Sequence, residues 1–259
     1  MPKLSLARYL PSVIHSFEVQ VYVRTRQRLY TSVLLVAVTT YFVPGELSPH
    51  IRDFLTLLRF PGCNERDLQP PLPVLLSLLM MEIQVIRRFL ECLFISIYGN
   101  SVMSVVIYIV GVAYYSAIGL SAISLTHEEI ISTDHLYSDL RWYQVLAVLL
   151  FIYASWKQNR LGIILAKLRK DKNGKVEDVK HHIPNGNLFE YCSCPHFFME
   201  ILIYAAICTV FLWQHEVLNC VFVFVLVNQT LSGLMSHKWY REKFPSYPKN
   251  RRAVLPFIL

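Results

Sequence analysis

Residues 197–213 read FFMEILIYAAICTVFLW, and residues 217–235 read VLNCVFVFVLVNQTLSGLM. Glu200 is the only charged side chain in either run, and three residues separate the two. A helix that crosses a bilayer needs roughly 20 mostly apolar residues, with about 17 sufficing when polar ends extend it. Both runs therefore read as membrane spans. Outward from this pair, four more segments qualify: Leu29–Val43, Leu72–Ile86, Ser101–Leu125 and Trp142–Trp156. The second of the six has the composition to continue as one helix through Arg87, Arg88 and Glu91 toward Tyr98.

Composition agrees with lipid as the solvent. The 259 residues are 54% hydrophobic and 17% charged, with mean hydropathy +0.39, which is more apolar surface than one water-soluble core can hide. Trp142, Trp156, Trp213 and Trp239 sit at or just beyond segment ends, where an amphipathic ring favours the headgroup layer. Between spans the charges are uneven. Lys157–Lys180 carries eight Lys or Arg against Asp171, Glu177 and Asp178, and the tail after Met235 carries six against Glu242. With the basic N-terminal stretch and the Arg87/Arg88 turn, these regions fall on one side of a six-span arrangement, which the positive-inside rule makes cytosolic along with both termini. That asymmetry accounts for the net charge of +7, and nucleic-acid binding is not needed to explain it.

The chain reads as one membrane domain, residues 1–259, without repeats. The first thirty residues hold no compact apolar run followed by small residues, so no cleavable signal is expected. Nine glycines leave no Gly-x-Gly-x-x-Gly turn and no phosphate-binding loop, and His-Glu-x-x-His is absent. Cys192, Cys194 and His196 have no well-spaced second ligand pair apart from His181 and His182, so small thiols near a helix entrance are expected there in place of a metal site. Carboxylates and amides at membrane depth are more telling, because each costs free energy to insert. Glu82, Glu200 and Asn228 are of this kind. Glu82 suits a functional role as well as it suits pairing with Arg87 or snorkelling, whereas Glu200 is expected to be functional, with a guanidinium beside it.

Basic residues near the membrane edge, Lys167, Arg169, Lys170, Arg251 and Arg252, suit anionic headgroups by default. They are accompanied by His181, His182, Phe189-Glu190-Tyr191 and His237-Lys238-Trp239-Tyr240. Cations for phosphates and rings for stacking are what a dinucleotide needs.

These residues form an ordered set: Leu168-Arg169-Lys170, Ile183-Pro184, Leu188-Phe189-Glu190-Tyr191, Ser193-Cys194-Pro195-His196, Glu200, Asn228, Ser236-His237-Lys238-Trp239-Tyr240, Tyr247-Pro248-Lys249 and Pro256-Phe257, with Arg87-Arg88 and Glu91-Cys92 upstream. The set resembles the steroid 5α-reductase family, in particular its polyprenol-reducing branch, most strongly over residues 151–259. The resemblance implies an all-α membrane protein of the endoplasmic reticulum, with about six transmembrane helices where seven are typical and the first absent here. Its cytosolic loops would close over NADPH. By position, Arg169 and Lys170 would meet cofactor phosphates, and Arg88 and Glu91 would line the pocket. His196 and Glu200 would hold the nicotinamide amide, and Asn228 and Tyr240 would reach it from the last span. His181, His237 and Arg251 complete the expected cofactor set, and Glu200 and Tyr240 are the expected catalytic residues, Tyr240 as proton donor.

His196 stands where the family has asparagine, and a neutral imidazole, like an amide, both donates and accepts. The N-terminal Gln-Glu pair of steroid-reducing members is missing, which favours a polyprenyl lipid. Hydride addition to a carbon–carbon double bond needs an electron sink, so polyprenal is the expected reacting species. The product would be the dolichol series used in protein N-glycosylation. Rival readings are a 3-oxo-5α-steroid reductase, an isoprenylcysteine carboxyl methyltransferase-like enzyme, and a shortened, inactive membrane protein.

Overall fold

The computed structural model describes residues 71–97, 140–170 and 182–256. Four α-helices account for most of them: α1 (Pro71–Phe94), α2 (Trp142–Lys167), α3 (Pro195–Val210) and α4 (Glu216–Lys243). A one-turn 3₁₀ helix covers Asn187–Glu190, and among the described residues there is no strand. The expected spans at 29–43 and 101–125 lie outside the described residues.

Of the other four expected spans, 72–86, 142–156 and 217–235 fall within helices that outrun them, whereas 197–213 runs past its helix, which ends at Val210 before a turn at 211–213. Helix α1 begins on a proline, whose missing N–H is no loss in a first turn, and carries Arg87, Arg88 and Glu91 on its last turns. Helix α2 continues eleven residues past Trp156 because Lys157, Gln158, Asn159 and Arg160 end the apolar run without ending the helix. By length and composition α4 is the one described helix able to cross a membrane; α3 is a shorter apolar helix of 16 residues.

Helix α3 is central. It packs along α2 and against α4, and α1 leans on both α2 and α3. On α2 the inward stripe is Gln144, Ala147, Phe151, Ala154, Gln158 and Leu161, alternating three and four residues as one helix face requires. The small alanines let α3 approach, bringing Met199, Ile203, Ala206 and Ile207 into the core with Leu78, Met81 and Val85 of α1. Outward, α2 shows Val145, Leu146, Leu149, Ile152, Tyr153 and Trp156, and α4 shows Val223, Phe224, Val227 and Leu231. Such a continuous apolar exterior belongs against lipid.

The α3–α4 turn is sharp. Leu212 and Trp213 both take positive φ, 51° and 63°, and the turn is held by Trp213 N–H on the Cys208 carbonyl at 3.0 Å and Asn219 Nδ2 on the Trp213 carbonyl at 2.6 Å. Buried His215 caps α4 by accepting the Leu218 N–H through Nδ1. At the opposite end, the C-terminal tail runs beside residues 191–194 in a short parallel pairing. Ser193 N–H meets the Arg252 carbonyl at 2.8 Å, and Cys194 N–H meets the Ala253 carbonyl at 3.0 Å.

Candidate functional site

Where the last turns of α1 meet the second half of α2 and the first turn of α3, polar side chains fill an otherwise apolar interior. Arg87 is at the middle. Its Nη1 donates to Glu91 Oε1, and its Nη2 donates to Gln84 Oε1 at 2.7 Å and to Gln158 Oε1. Glu91, buried, also accepts from Arg88 Nη1 at 2.7 Å and from Asn159 Nδ2 at 2.8 Å. Gln158 passes the connection on, since its Nε2 donates to Glu200 Oε2 and to the His196 carbonyl at 3.2 Å. Gln84 Nε2 lies 3.4 Å and 3.5 Å from the two Glu200 oxygens. Two arginines and two carboxylates thus balance each other in formal charge, as a site drawn out of water requires.

Glu200 does not have the expected guanidinium in contact. Two neutral amides intervene, because Arg87 is already turned toward Glu91 by their one-turn spacing on α1. Nor does Glu82 pair with Arg87: both its oxygens are buried with no hydrogen-bond partner among the described residues, on a different side of α1. His196 opens α3 after Pro195, with its ring 4.3 Å from that of Phe197 and 6.4 Å from that of Phe189, and its Nδ1 is buried with no hydrogen-bond partner among the described residues. Arg88 remains partly open, its side chain 43% exposed despite the Glu91 contact.

A second cluster joins the 184–194 loop, the end of α4 and the tail. Ser193 Oγ lies 2.6 Å from His237 Nδ1, 2.5 Å from Tyr247 Oη and 3.1 Å from the Arg252 carbonyl. A hydroxyl has one proton and a carbonyl only accepts, so Ser193 donates to Arg252 while His237 and Tyr247 donate to Ser193. Tyr240 stacks on Tyr247 at 5.4 Å and on Phe244 at 5.9 Å. Burial, followed by its neighbours Cys194 and Tyr247, pushes the Tyr240 phenol up to about 12. Burial likewise pushes the Cys192 thiol up to about 12 and the Cys194 thiol to about 11, so both remain neutral.

The structure gathers seven of the expected site residues into two groups. Arg88, Glu91, His196 and Glu200 share the first cluster, and His237, Tyr240 and Arg251 share the second. Arg251 is internal: its guanidinium donates to the Pro184 carbonyl and Asn185 Oδ1, each at 2.7 Å, faces Glu190 at 3.8 Å and lies over the Tyr247 ring. Arg169 donates to the Ile97 carbonyl, tying the end of α2 to the end of α1, and Lys170 beside it is exposed. Asn228 is exposed on α4, about 18 Å along the axis from Tyr240 at 1.5 Å per residue, so the two reach only opposite ends of an extended ligand. His181 lies outside the described residues. Gln84, Arg87, Gln158 and Asn159 are the site residues that the sequence reading did not select. Gln158 announces itself only as an amide on the buried stripe of α2.

The fold is that of a helical membrane protein with a charge-balanced polar cluster at one end of the described helices. Residues 101–259 match the protein family described as 3-oxo-5-alpha-steroid 4-dehydrogenase, and the chain belongs to that family. Similar curated proteins include the polyprenal reductases of Xenopus tropicalis, 40% identical over 199 residues, and Danio rerio, 40% identical over 192. These matches cover 76% and 73% of this chain but 65% and 61% of those proteins. The human polyprenal reductase is 36% identical over 191 residues, 72% of this chain and 60% of that protein. The chain spans less than two thirds of the relatives it matches.

Proposed function

We propose that this chain is an NADPH-dependent reductase of the α-isoprene double bond of a polyprenyl lipid, acting on the polyprenal in dolichol synthesis for protein N-glycosylation. The reading places it in the endoplasmic reticulum membrane with about six spans, both termini and the cofactor loops on the cytosolic side, and residues 151–259 forming most of the cofactor site. One observation carries it: Glu200, His196 and Arg88 converge at the polar end of the α1–α2–α3 helices in a chain whose relatives are named polyprenal reductases.

The donor set suits a dinucleotide. His196 Nδ1 is a buried polar atom with no hydrogen-bond partner among the described residues, Glu200 offers acceptor oxygens, and Arg88 and Lys170 are cations with open surface. In this reading Glu200 and His196 hold the nicotinamide amide, and Arg88, Arg169 and Lys170 attend the phosphates. Glu91 lines the pocket by fixing Arg88, and Asn228 and Tyr240 approach from α4. NADPH supplies a hydride, and a conjugated carbonyl gives the displaced electron pair a place to go that an allylic alcohol does not. Tyr240 keeps its proton through neutral pH and is the chain's proposed proton donor to the α carbon. Arg251 and His237 support Tyr240 by anchoring Tyr247 and Ser193 beneath it.

The test is reconstitution of the chain in lipid nanodiscs with NADPH and either polyprenal or polyprenol, with mass spectrometry of the lipid. A two-hydrogen gain on the aldehyde alone supports the reading and its electron-sink argument. Gain on the alcohol overturns that argument but keeps the reductase. No gain on either by folded protein that also binds no NADPH overturns the proposal.

A further inference from the structure

We infer that Gln158 is a positioning residue of the reductase site, a neutral coupler that holds the Glu200 carboxylate in place while keeping the Arg87 guanidinium one amide away from it. The inference rests on the proposed reading that Glu200 meets the cofactor. It concerns a residue to which that reading assigns no role.

Three hydrogen bonds determine the amide. Oε1 accepts from Arg87 Nη2, and the two Nε2 protons go to Glu200 Oε2 and to the His196 carbonyl. The orientation has no alternative: a flipped amide would set its NH₂ against the Arg87 donor and its oxygen against two acceptors. Gln158 therefore touches, through one planar group, both residues expected to hold the nicotinamide amide. It also holds the hub of the α1 charge cluster. Its side chain is buried on the stripe by which α2 packs on α3, so its position is set by the core beneath it.

A direct Arg87–Glu200 pair would be the stronger electrostatic contact, and its absence has a chemical consequence. A carboxylate closed by a bidentate guanidinium has little acceptor capacity left, whereas one held by an amide on Oε2 keeps lone pairs on Oε1 for a ligand N–H. Gln84 repeats the arrangement at longer range, accepting from Arg87 and facing Glu200 with its Nε2 at 3.4 Å. Among the described residues Gln158 contacts the charged groups Arg87 of α1 and Glu200 of α3 and the carbonyl of His196; Arg88 and Glu91 of α1 lie one contact further, through Glu200, His196 and Arg87, and Asn159 of α2 bonds Glu91.

The experiment compares NADPH affinity of wild type, Gln158→Glu and Gln158→Met in nanodiscs between about pH 8 and about pH 6, a range in which facing carboxyls share a proton. Losing a charge-assisted hydrogen bond should weaken NADPH binding roughly tenfold or more in both variants at the upper pH. A protonated Gln158→Glu side chain regains an acceptor for Arg87 and one donor, enough for the Glu200 contact though not for the His196 carbonyl as well, so its affinity should recover part of the way toward wild type as pH falls. Gln158→Met, which cannot titrate, should not recover. A residue that merely fills space would make the two variants respond alike, and equal affinity or parallel pH profiles overturn the inference while leaving NADPH binding by wild type intact. Wild type that binds no NADPH overturns the underlying reading and this inference with it. Because the recovery is measured within Gln158→Glu alone, a poorly folding Gln158→Met still leaves a decisive result.

Discussion

Gly233 on α4 and Val254 in the tail occupy space that only a missing side chain makes available: a Cβ at position 233 would lie 2.0 Å from Val254 Cγ2. Val254 is fully buried there with Ala253 and Ile201, next to Phe197. The tail is therefore seated by contact with the α4 backbone, and its carbonyls at Arg252 and Ala253 are thereby presented to Ser193 and Cys194. Gly233→Ala should force the tail outward at a cost of about 1–3 kcal/mol, the usual scale of overpacking. A lower thermal midpoint in nanodiscs and earlier proteolysis of the last residues would report it. An unchanged midpoint would mean the tail contributes nothing to the fold.

Arg251 makes the complementary prediction from the polar side. Its guanidinium spans the Pro184 carbonyl and Asn185 Oδ1 from a buried position, a fork that a lysine ammonium cannot reproduce. Arg251→Lys should lose one of these charged hydrogen bonds, about 1.5–3 kcal/mol, and loosen residues 182–190. Hydrogen exchange across that loop measures it directly, with faster exchange expected there and little change in α2.

The two clusters differ in how far the sequence discloses them. Helix positions were legible because apolar run length is a bulk property, and the ends of α3 and α4 are marked by Pro195 and by the polar Gln214-His215-Glu216 connection. The far end of α2 was less so: apolarity stops at Trp156, while backbone hydrogen bonding continues to Lys167. Glu200 stood out as a lone carboxylate in an apolar run. Gln84 and Gln158 carry no charge and so escaped the same test, although both are buried amides. Arg251 illustrates the opposite limit, since a basic tail residue looks like a phosphate ligand until the loop that it clamps is seen in three dimensions.

His215 gives the chain an acid-sensitive point at the α3–α4 turn. Burial pushes its imidazole down to about 4, and its Nδ1 accepts the Leu218 N–H. Above the ordinary value near 6.5 both folded and unfolded chains hold it neutral, and no stability depends on it. As pH falls below about 6.5 the unfolded chain takes up a proton that the folded chain refuses, so stability declines down to about pH 4, on the order of 3 kcal/mol in all. His215→Asn keeps a cap acceptor without the titration. Its thermal midpoint should match wild type near neutrality and fall less steeply between about pH 6.5 and about pH 5. Identical slopes would remove His215 from the account of acid lability.

Glu200→Gln separates charge from hydrogen bonding at the proposed cofactor site. The new amide can still accept from Gln158 and Gln84 through its oxygen, so the α1–α2–α3 contacts survive and the thermal midpoint should move little. What is lost is one of the two carboxylates that balance Arg87 and Arg88, together with an acceptor oxygen that becomes an NH₂. A ligand amide N–H facing that NH₂ meets a donor, and a buried mismatch of this kind costs about 1–3 kcal/mol, or roughly tenfold to a hundredfold in NADPH affinity. The uncompensated arginines act the other way, attracting the anionic part of the cofactor, so NADP-type phosphates without the nicotinamide ring should lose no affinity. Comparing NADPH with 2′-phospho-ADP-ribose on the same variant isolates the two effects. Weakening confined to NADPH would place Glu200 at the nicotinamide, weakening of both would make its role general electrostatics, and no weakening of either would take Glu200 out of the site.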